Sequence, residues 1–370
     1  MGAGEAICTT KNPRIYCPDS SSPTLSFSAI GDIHYGVRGH SKARFEATLG
    51  RVKRRMAKSP NHYTFFIGDQ TDKFSDSERK SLFGAALHAG SVDSIDEWMV
   101  TGYLEPLAKR LAFLGDHNLG FIQGNHTYIF QTNSEQHGYS CGMSAEQWLA
   151  QRLNTHWLGW ICYMRLSIYR GCGGGKCSGA SVPLDFVICH GKGGGKLAGS
   201  TINGVDDLRR IFPSAHCYFA GHDHQLGVVP VSMLEVPMGA TIGMGLPTLK
   251  SPAHLRIRTH DQLLCRCGSH LKAYEPGVAS YVVRSLMRPA CLGHVEVFAK
   301  LERTREDDRR HLAWHLEGVV VSGSSRASID PAESEGSTDN DLFDETEQNA
   351  GIASTDENTD NNNEGEEAQS

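Results

Sequence analysis

Aspartate, asparagine and histidine recur in this chain directly behind runs of apolar residues, and those three side chains together are donors for divalent cations. In order they read Gly-Asp-Ile-His at Gly31 to His34, Gly-Asp-Gln-Thr-Asp at Gly68 to Asp72, and Gly-Asn-His at Gly124 to His126. His190-Gly191 and Gly-His-Asp-His at Gly221 to His224 complete the series. Any one of these alone is more often a turn than a ligand set. Five of them, each at the carboxyl end of a strand-like run, bring Asp32, His34, Asp69, Asn125, His190, His222 and His224 to one edge of a sheet. Two carboxylates, an amide oxygen and four imidazoles are enough for two ions. Imidazole favours zinc, iron or nickel, whereas carboxylate and amide oxygens favour manganese or magnesium. Two such ions about 3.5 to 4 Å apart, sharing a carboxylate, clamp the attacking and leaving oxygens of an in-line displacement at phosphorus. The chemistry that follows is phosphoester hydrolysis.

The elements that must hold these residues are legible as well. LSFSAI, HYTFFI, LGFIQ, LDFVIC and HCYFA have strand length, and each runs into a polar, glycine-containing turn. Between them lie helical patterns. In the basic segment 41–58, Phe45, Leu49, Val52 and Met56 recur at helical spacing, and Ser94-x-x-Glu97 and Ser144-x-x-Gln147 read as capping boxes. Strands alternating with helices predict a layered α/β domain. Residues 159–190 read as two strands joined by the loop GCGGGKCSGA. Beyond them ASYVVRSLM, HVEVFAKLER and HLAWHLEGVVV predict antiparallel strands. Residues 1–23, with Pro13, Pro18 and Pro23 and a serine run, read as an irregular arm. The domain then spans 24–325, and 326–370 is an acidic segment expected to be disordered, because its composition cannot bury enough apolar surface.

The chain has 370 residues, 39% of them hydrophobic, so a substantial core is available. Its net charge of -6 hides two opposed regions. Beyond Arg326 there are 14 acidic and no basic residues, which leaves 28 acidic against 36 basic, a net +8, in positions 1–326. A body of that sign attracts phosphate-bearing molecules at long range. No apolar run is long enough to span a bilayer, the first residues lack the pattern of a secretory signal, and Ala6 stands where a Gly2 acylation motif needs Ser or Thr. Eleven cysteines scattered through apolar runs suit reduced thiols, so a cytoplasmic location is expected.

The ordered series D-x-H, G-D-x-x-D, G-N-H, H-G, G-H-x-H resembles the calcineurin-like metallophosphoesterase superfamily over about Thr24 to Leu226. The resemblance implies a four-layer αββα sandwich with a dinuclear site at one edge. It implies that Asp32, His34 and His224 bind the first metal, that Asn125, His190 and His222 bind the second, and that Asp69 bridges them. His126 would protonate the leaving oxygen or stabilise phosphoryl charge, a role open to imidazole because it titrates near neutral pH. Manganese is the first expectation for the two ions, with zinc, iron, nickel and magnesium as alternatives. Three departures from the family pattern bear in turn on the acid role of His126, on phosphoprotein as substrate and on a tyrosine-ligated ferric site. Thr127 stands where members commonly carry an acid after the G-N-H histidine; Asp72-Lys73-Phe74 lacks the Arg-Gly of the phosphoprotein phosphatases; and Asp72 replaces the tyrosine of purple acid phosphatases. The expected function is hydrolysis of phosphodiesters, with nucleic acid or a nucleotide as substrate. The alternatives are a phosphomonoesterase acting on a small metabolite and a catalytically weak nucleic-acid-binding protein of the same fold; no membrane partner is expected.

Weaker signals stand beside these. The loop GKGGGK at 191–196 could grip a phosphate or simply be flexible. Cys172, Cys177, Cys265 and Cys267 have poor zinc-ribbon spacing. The basic helix around Arg51 to Lys58, with Arg256, Arg258, Arg266 and Arg303 to Arg310, reads as a nucleic-acid contact or a solvated face. His40, His62, His88, His117 and His137 read as structural or surface residues. Gly268 to Val297 loosely resembles the C-terminal part of phosphoesterases of phages and bacteria.

Overall fold

The computed structural model describes residues 8–17, 23–37, 39–71, 92–170, 172–173, 176–177, 181–191, 198–235, 258–272, 291–306 and 309–322. These all lie in one of the two units into which the chain divides, 1–325; the second, 326–370, falls outside the described residues. So do Asp72, Lys73, His88, the lysines of GKGGGK and the run ASYVVRSLM.

Two sheets carry the fold. The first contains β3 (Thr24–Ile30), β4 (His62–Ile67) and β5 (Asn118–Ile122), all parallel, with β13 (Gly293–Glu306) antiparallel beside β3 and β14 (Arg309–Ser322) antiparallel beside β13. The second contains β6 (Ile161–Arg170), β9 (Val182–Cys189), β10 (Cys217–Ala220), β12 (Arg258–Cys267) and β11 (Leu226–Glu235), in that spatial order. β9, β10 and β12 are parallel, while β6 and β11 run antiparallel at their flanks. A two-stranded ribbon, β7 (Cys172–Gly173) with β8 (Lys176–Cys177), lies between β6 and β9 in the chain.

Parallel neighbours need crossover connections, and helices supply them. α1 (Lys42–Lys58) joins β3 to β4. α2 (Val92–Met99) passes through an i→i+5 turn at Val100–Leu104 into α3 (Glu105–Leu111) on the way to β5. α4 (Ala145–Arg152) precedes β6, and α5 (Ala198–Ile211) joins β9 to β10. Phe45, Leu49 and Val52 of α1 pack with Leu104, Leu107 and Leu111 against Ile30, Phe66 and Phe121 of the first sheet. Val205 and Leu208 of α5 pack on Val187, Tyr218 and Leu264 of the second. Between the sheets, Phe27 meets Phe186 edge to face at 4.8 Å, and Phe65 meets Phe219 at 4.9 Å. The order of layers is therefore helix, sheet, sheet, helix, an αββα sandwich. Strands buried on both faces read as unbroken apolar runs, which explains why LDFVIC and HCYFA show no alternation.

Two sequence expectations need correction. The arm is not irregular throughout: β1 (Cys8–Lys11) and β2 (Arg14–Cys17) both pair parallel with β6. Arg14 and Tyr16 face out while Ile15 and Cys17 are buried, a period of two that is too short to register between Pro13 and Pro18. Ser94 does not cap a helix, because α2 already runs from Val92, whose side chain is buried. The second capping box does form. Ser144 Oγ accepts from Gln147 N–H at 3.1 Å and Gln147 Oε1 accepts from Ser144 N–H at 2.7 Å.

Candidate metal centre

β3, β4, β5, β9 and β10 all end on the same edge of the sandwich, and the residue triplets behind them continue the pairing. Asp32 N–H donates to Gly68 O at 3.2 Å, His34 N–H to Asp69 O at 2.9 Å, and Gly221 N–H to His190 O at 2.9 Å. The glycines that open the motifs are there for close approach. A Cβ on Gly124 would lie 2.0 Å from Asp69 Oδ1, and one on Gly221 would lie 2.6 Å from Asp32 Oδ2. In place of that carbon come backbone donors: His126 N–H to Asp69 Oδ1 and His222 N–H to Asp32 Oδ2, each at 2.9 Å.

Among the described residues other than glycine, φ is positive at Asp32, His34, Asp69, Asn154, His222 and His224. Five of these six belong to the strand-end motifs. Left-handed backbone costs an L residue about 1–2 kcal/mol, and such strain persists only where the surroundings over-determine it, typically at functional sites.

The side chains gather into two donor sets, Asp32 with His34 and His224, and Asp69 with His190 and His222. In the first, Asp32 Oδ1 lies 3.3 Å from His224 Nε2 and 3.9 Å from His34 Nε2, and the two imidazole nitrogens face each other at 3.4 Å. In the second, His190 Nε2 lies 3.1 Å from Asp69 Oδ2, 2.8 Å from Asn125 Oδ1 and 3.1 Å from His222 Nδ1; Asn125 Oδ1 is 2.7 Å from His222 Nδ1. His190 Nδ1 bonds to Ile67 O at 2.8 Å, which directs Nε2 into the cluster. All seven predicted ligands are thus brought together. The ring of His126 sits beside that of His34, with centroids 5.6 Å apart. Asp32, His34, Asp69, His190 and His224 are buried, whereas Asn125 is exposed and His126 and His222 are half-buried, so the centre opens to solvent on that side.

Electrostatics and unsatisfied groups both fit cations. Burial pushes the Asp32 and Asp69 carboxyls up, yet the neighbouring imidazoles, His224 for Asp32 and His190 for Asp69, hold both below the ordinary carboxylate range. Burial pulls His190 down, but the Asp69 and Asp32 carboxylates with the Ile67 carbonyl push it up to about 9. Burial and the charge on His190 lower His222. Asp32 Oδ1 is buried and accepts no hydrogen bond. An ionised oxygen without a donor, facing two imidazole nitrogens, is the arrangement a divalent ion would complete.

Sequence reasoning missed one supporting group, Glu146, and read another, the buried Arg266, as part of an exposed basic surface. Arg266, buried on β12, donates to Gly221 O at 2.8 Å and pairs with Asp223, fixing the loop that carries His222 and His224. A charged residue inside the apolar run LLCRC was the available signal. Glu146, on the first turn of α4, is fully buried and accepts from Thr127 Oγ1. Nothing in its local sequence marks it.

Other suggestions resolve differently. Arg51 makes two bonds to the buried Glu296, at 2.7 and 2.9 Å, and Arg55 a third at 3.2 Å, so the basic helix spends part of its charge inside the protein. His62 bonds Ser26 and Ser28, His117 bonds His62 O, and His40 bonds Ile33 O, all structural roles. Cys265 and Cys267 are buried among apolar side chains with their thiols pushed well up by burial; the side chains of Cys172 and Cys177 fall outside the described residues.

No family model matches the chain, and no curated protein does. Solved structures do. Vps29 from Entamoeba histolytica matches as a single mutant, at 12% identity and a TM-score of 0.32, and as the wild type complexed with zinc, at 10% and 0.32. Vacuolar protein sorting 29 from Cryptosporidium parvum matches at 10% and 0.31. Each match covers 80% of this chain, and 98% or 99% of the other. At that identity and score the likeness carries no argument. The fold is read from the layers and strand ends themselves: an αββα sandwich with two donor sets at one edge.

Proposed function

We propose that this chain is a metal-dependent phosphoesterase acting on phosphodiesters. The observation that carries the proposal is the pair of adjoining donor sets at the strand ends, one of them built round a buried carboxylate oxygen with no hydrogen-bond partner. Asp32, His34 and His224 would hold one ion, and Asn125, His190 and His222 the other, with Asp69 between them. Bound there, two divalent ions supply Lewis-acid stabilisation of phosphoryl charge and lower the pKa of water. The protein's part is orientation. His222 N–H and His126 N–H fix the two carboxylates, and Ile67 O fixes the His190 ring. His126, half-buried on the open side beside His34, would deliver the proton to a leaving oxygen.

Diester specificity is favoured by the +8 body and by the departures from the phosphoprotein pattern at 72–74. Nucleic acid or a nucleotide is the proposed substrate class, manganese the proposed metal and the cytoplasm the proposed location. The buried Cys189, Cys217, Cys265 and Cys267, which carry no disulfide, support a reducing compartment. The test is hydrolysis of chromogenic mono- and diester phosphates by metal-free protein reloaded with manganese. Diester turnover that falls by more than about 100-fold in Asp69→Asn is expected. Monoester turnover would redirect the search to phosphorylated metabolites, and two bound metals without turnover would refute the enzyme reading.

A further inference from the structure

Two loops supply half of the second donor set: 68–71, which holds Asp69, and 124–127, which holds Asn125. A buried polar bridge joins them from behind. Thr127 Oγ1 donates to Glu146 Oε2. With the Gln70 amide in the orientation that satisfies both its ends, its nitrogen donates to Glu146 Oε1 at 2.9 Å and its oxygen accepts from Gly68 N–H at 3.1 Å. Gln70 and Glu146 are wholly buried and Thr127 nearly so. Glu146 itself is anchored, because it sits in the first turn of α4, whose start is locked by the Ser144–Gln147 box. Each residue that this bridge grips is next to, or two residues from, a ligand of one donor set: Gly68 and Gln70 flank Asp69, and Thr127 follows Asn125 and His126. None lies in the loops that carry Asp32 and His34, or His222 and His224.

We propose that Glu146 is a positioning residue for the second metal site. Through Thr127 and Gln70 it sets the spacing between Asp69 and Asn125, and so the affinity of that site, without touching metal or substrate. The inference rests on the reading of the centre as a pair of metal sites. It also gives Thr127, where the resemblance leads one to expect an acid, a physical role: its hydroxyl reaches a carboxylate supplied by another element of the fold. Groups that orient metal ligands from outside the coordination shell affect affinity by about 10- to 100-fold when removed.

The test uses the full chain, metal-free, titrated calorimetrically with manganese. In a His34→Ala background only the second set remains complete, and in a His222→Ala background only the first; the two-step isotherm of the otherwise wild-type chain serves if either background fails to fold. Thr127→Val keeps the volume and removes the donor, whereas Thr127→Ser keeps the donor and loses a methyl. The expected result is second-site affinity at least about tenfold weaker with Thr127→Val and within about twofold of the parent with Thr127→Ser, while the first site, which shares only Asp69 with the bridged loops, weakens clearly less. Glu146→Ala should reproduce the loss, and adding Thr127→Val to it should weaken the site no further. A packing role predicts the reverse order, with Ser worse than Val, and that order would overturn the proposal. Equal weakening of both sites would overturn it too. Absence of any manganese binding in the parent chain would instead overturn the reading of the centre itself, and this inference with it.

Discussion

Metal binding at the second site should expel a proton from His190, and the structure sets how large the effect is. In the metal-free protein the Asp69 carboxylate, 3.1 Å from Nε2, outweighs burial with the help of Asp32 and Ile67 O, and His190 is pushed up to about 9. At pH 7 it is then about 99% protonated, so a cation that takes Nε2 must displace close to one proton; an unperturbed histidine would release only about a quarter of one. Competition of that kind weakens apparent affinity about 100-fold at pH 7, or about 2.7 kcal/mol. Affinity should therefore rise about tenfold per pH unit from 7 to 9 and level off above. Calorimetry at pH 7 in buffers of differing ionisation enthalpy counts the proton directly. Asp69→Asn removes the largest part of the push, leaving Asp32 and Ile67 O against burial, and should lower the count. The raised value also means that this group's contribution to folding is complete below about pH 6.5 and is lost as pH rises through 9 in the metal-free protein. Release of less than about 0.3 proton with Asp69 intact, or a pH-independent affinity, would refute the electrostatic reasoning.

Three further expectations follow from the structure. Burial lowers His62 to about 4 and His270 to about 3, so both favour the neutral form; their stabilisation is present above about pH 6.5 and is lost as pH falls through about 4 for His62 and about 3 for His270. For His62 this amounts to about 3 kcal/mol, visible as a steep fall in urea stability between pH 6.5 and 4 that His62→Gln flattens. Glu296→Ala strands Arg51 and Arg55, but each is 35% exposed and able to turn to water, so the loss in denaturant unfolding should be about 2–3 kcal/mol, below that of a fully enclosed pair. Manganese at 100 times its dissociation constant should add about 2.7 kcal/mol of stability per site in thermal or urea unfolding, and an Asp32→Ala variant should lose one site's share.

The ligands were legible because strand-end geometry leaves a strong trace: an apolar run and a glycine beside the donor, which at Gly124 and Gly221 admits a neighbouring carboxylate. All seven converge for that reason. What sequence did not reveal is what arrives from far along the chain. Glu146 reaches Thr127 from the far side of a turn-rich loop, and Arg266 reaches Asp223 from β12; neither contact leaves a local pattern. Short edge strands were invisible for a different reason. Four residues between prolines give β2 too few repeats for a period of two to register, and its partner β6 lies about 150 positions away, too far for any hairpin signal. Arg51 and Arg55 show the opposite limit, since a basic helical face looks the same in sequence whether it meets water or a buried Glu296.

Each donor set takes side chains from the ends of both sheets: Asp32 and His34 follow β3 while His224 follows β10, and Asp69 follows β4 while His190 and His222 follow β9 and β10. The first and last ligands are about 190 positions apart in the chain. A nascent polypeptide leaving the ribosome therefore carries scattered histidines and carboxylates of low affinity until β10 has emerged and the two halves have closed on each other. Bound ions would act as rivets driven after assembly. Contacts made that late slow the opening of a fold rather than speed its formation, so the metal content of the cell would govern how long each molecule survives, not whether it folds.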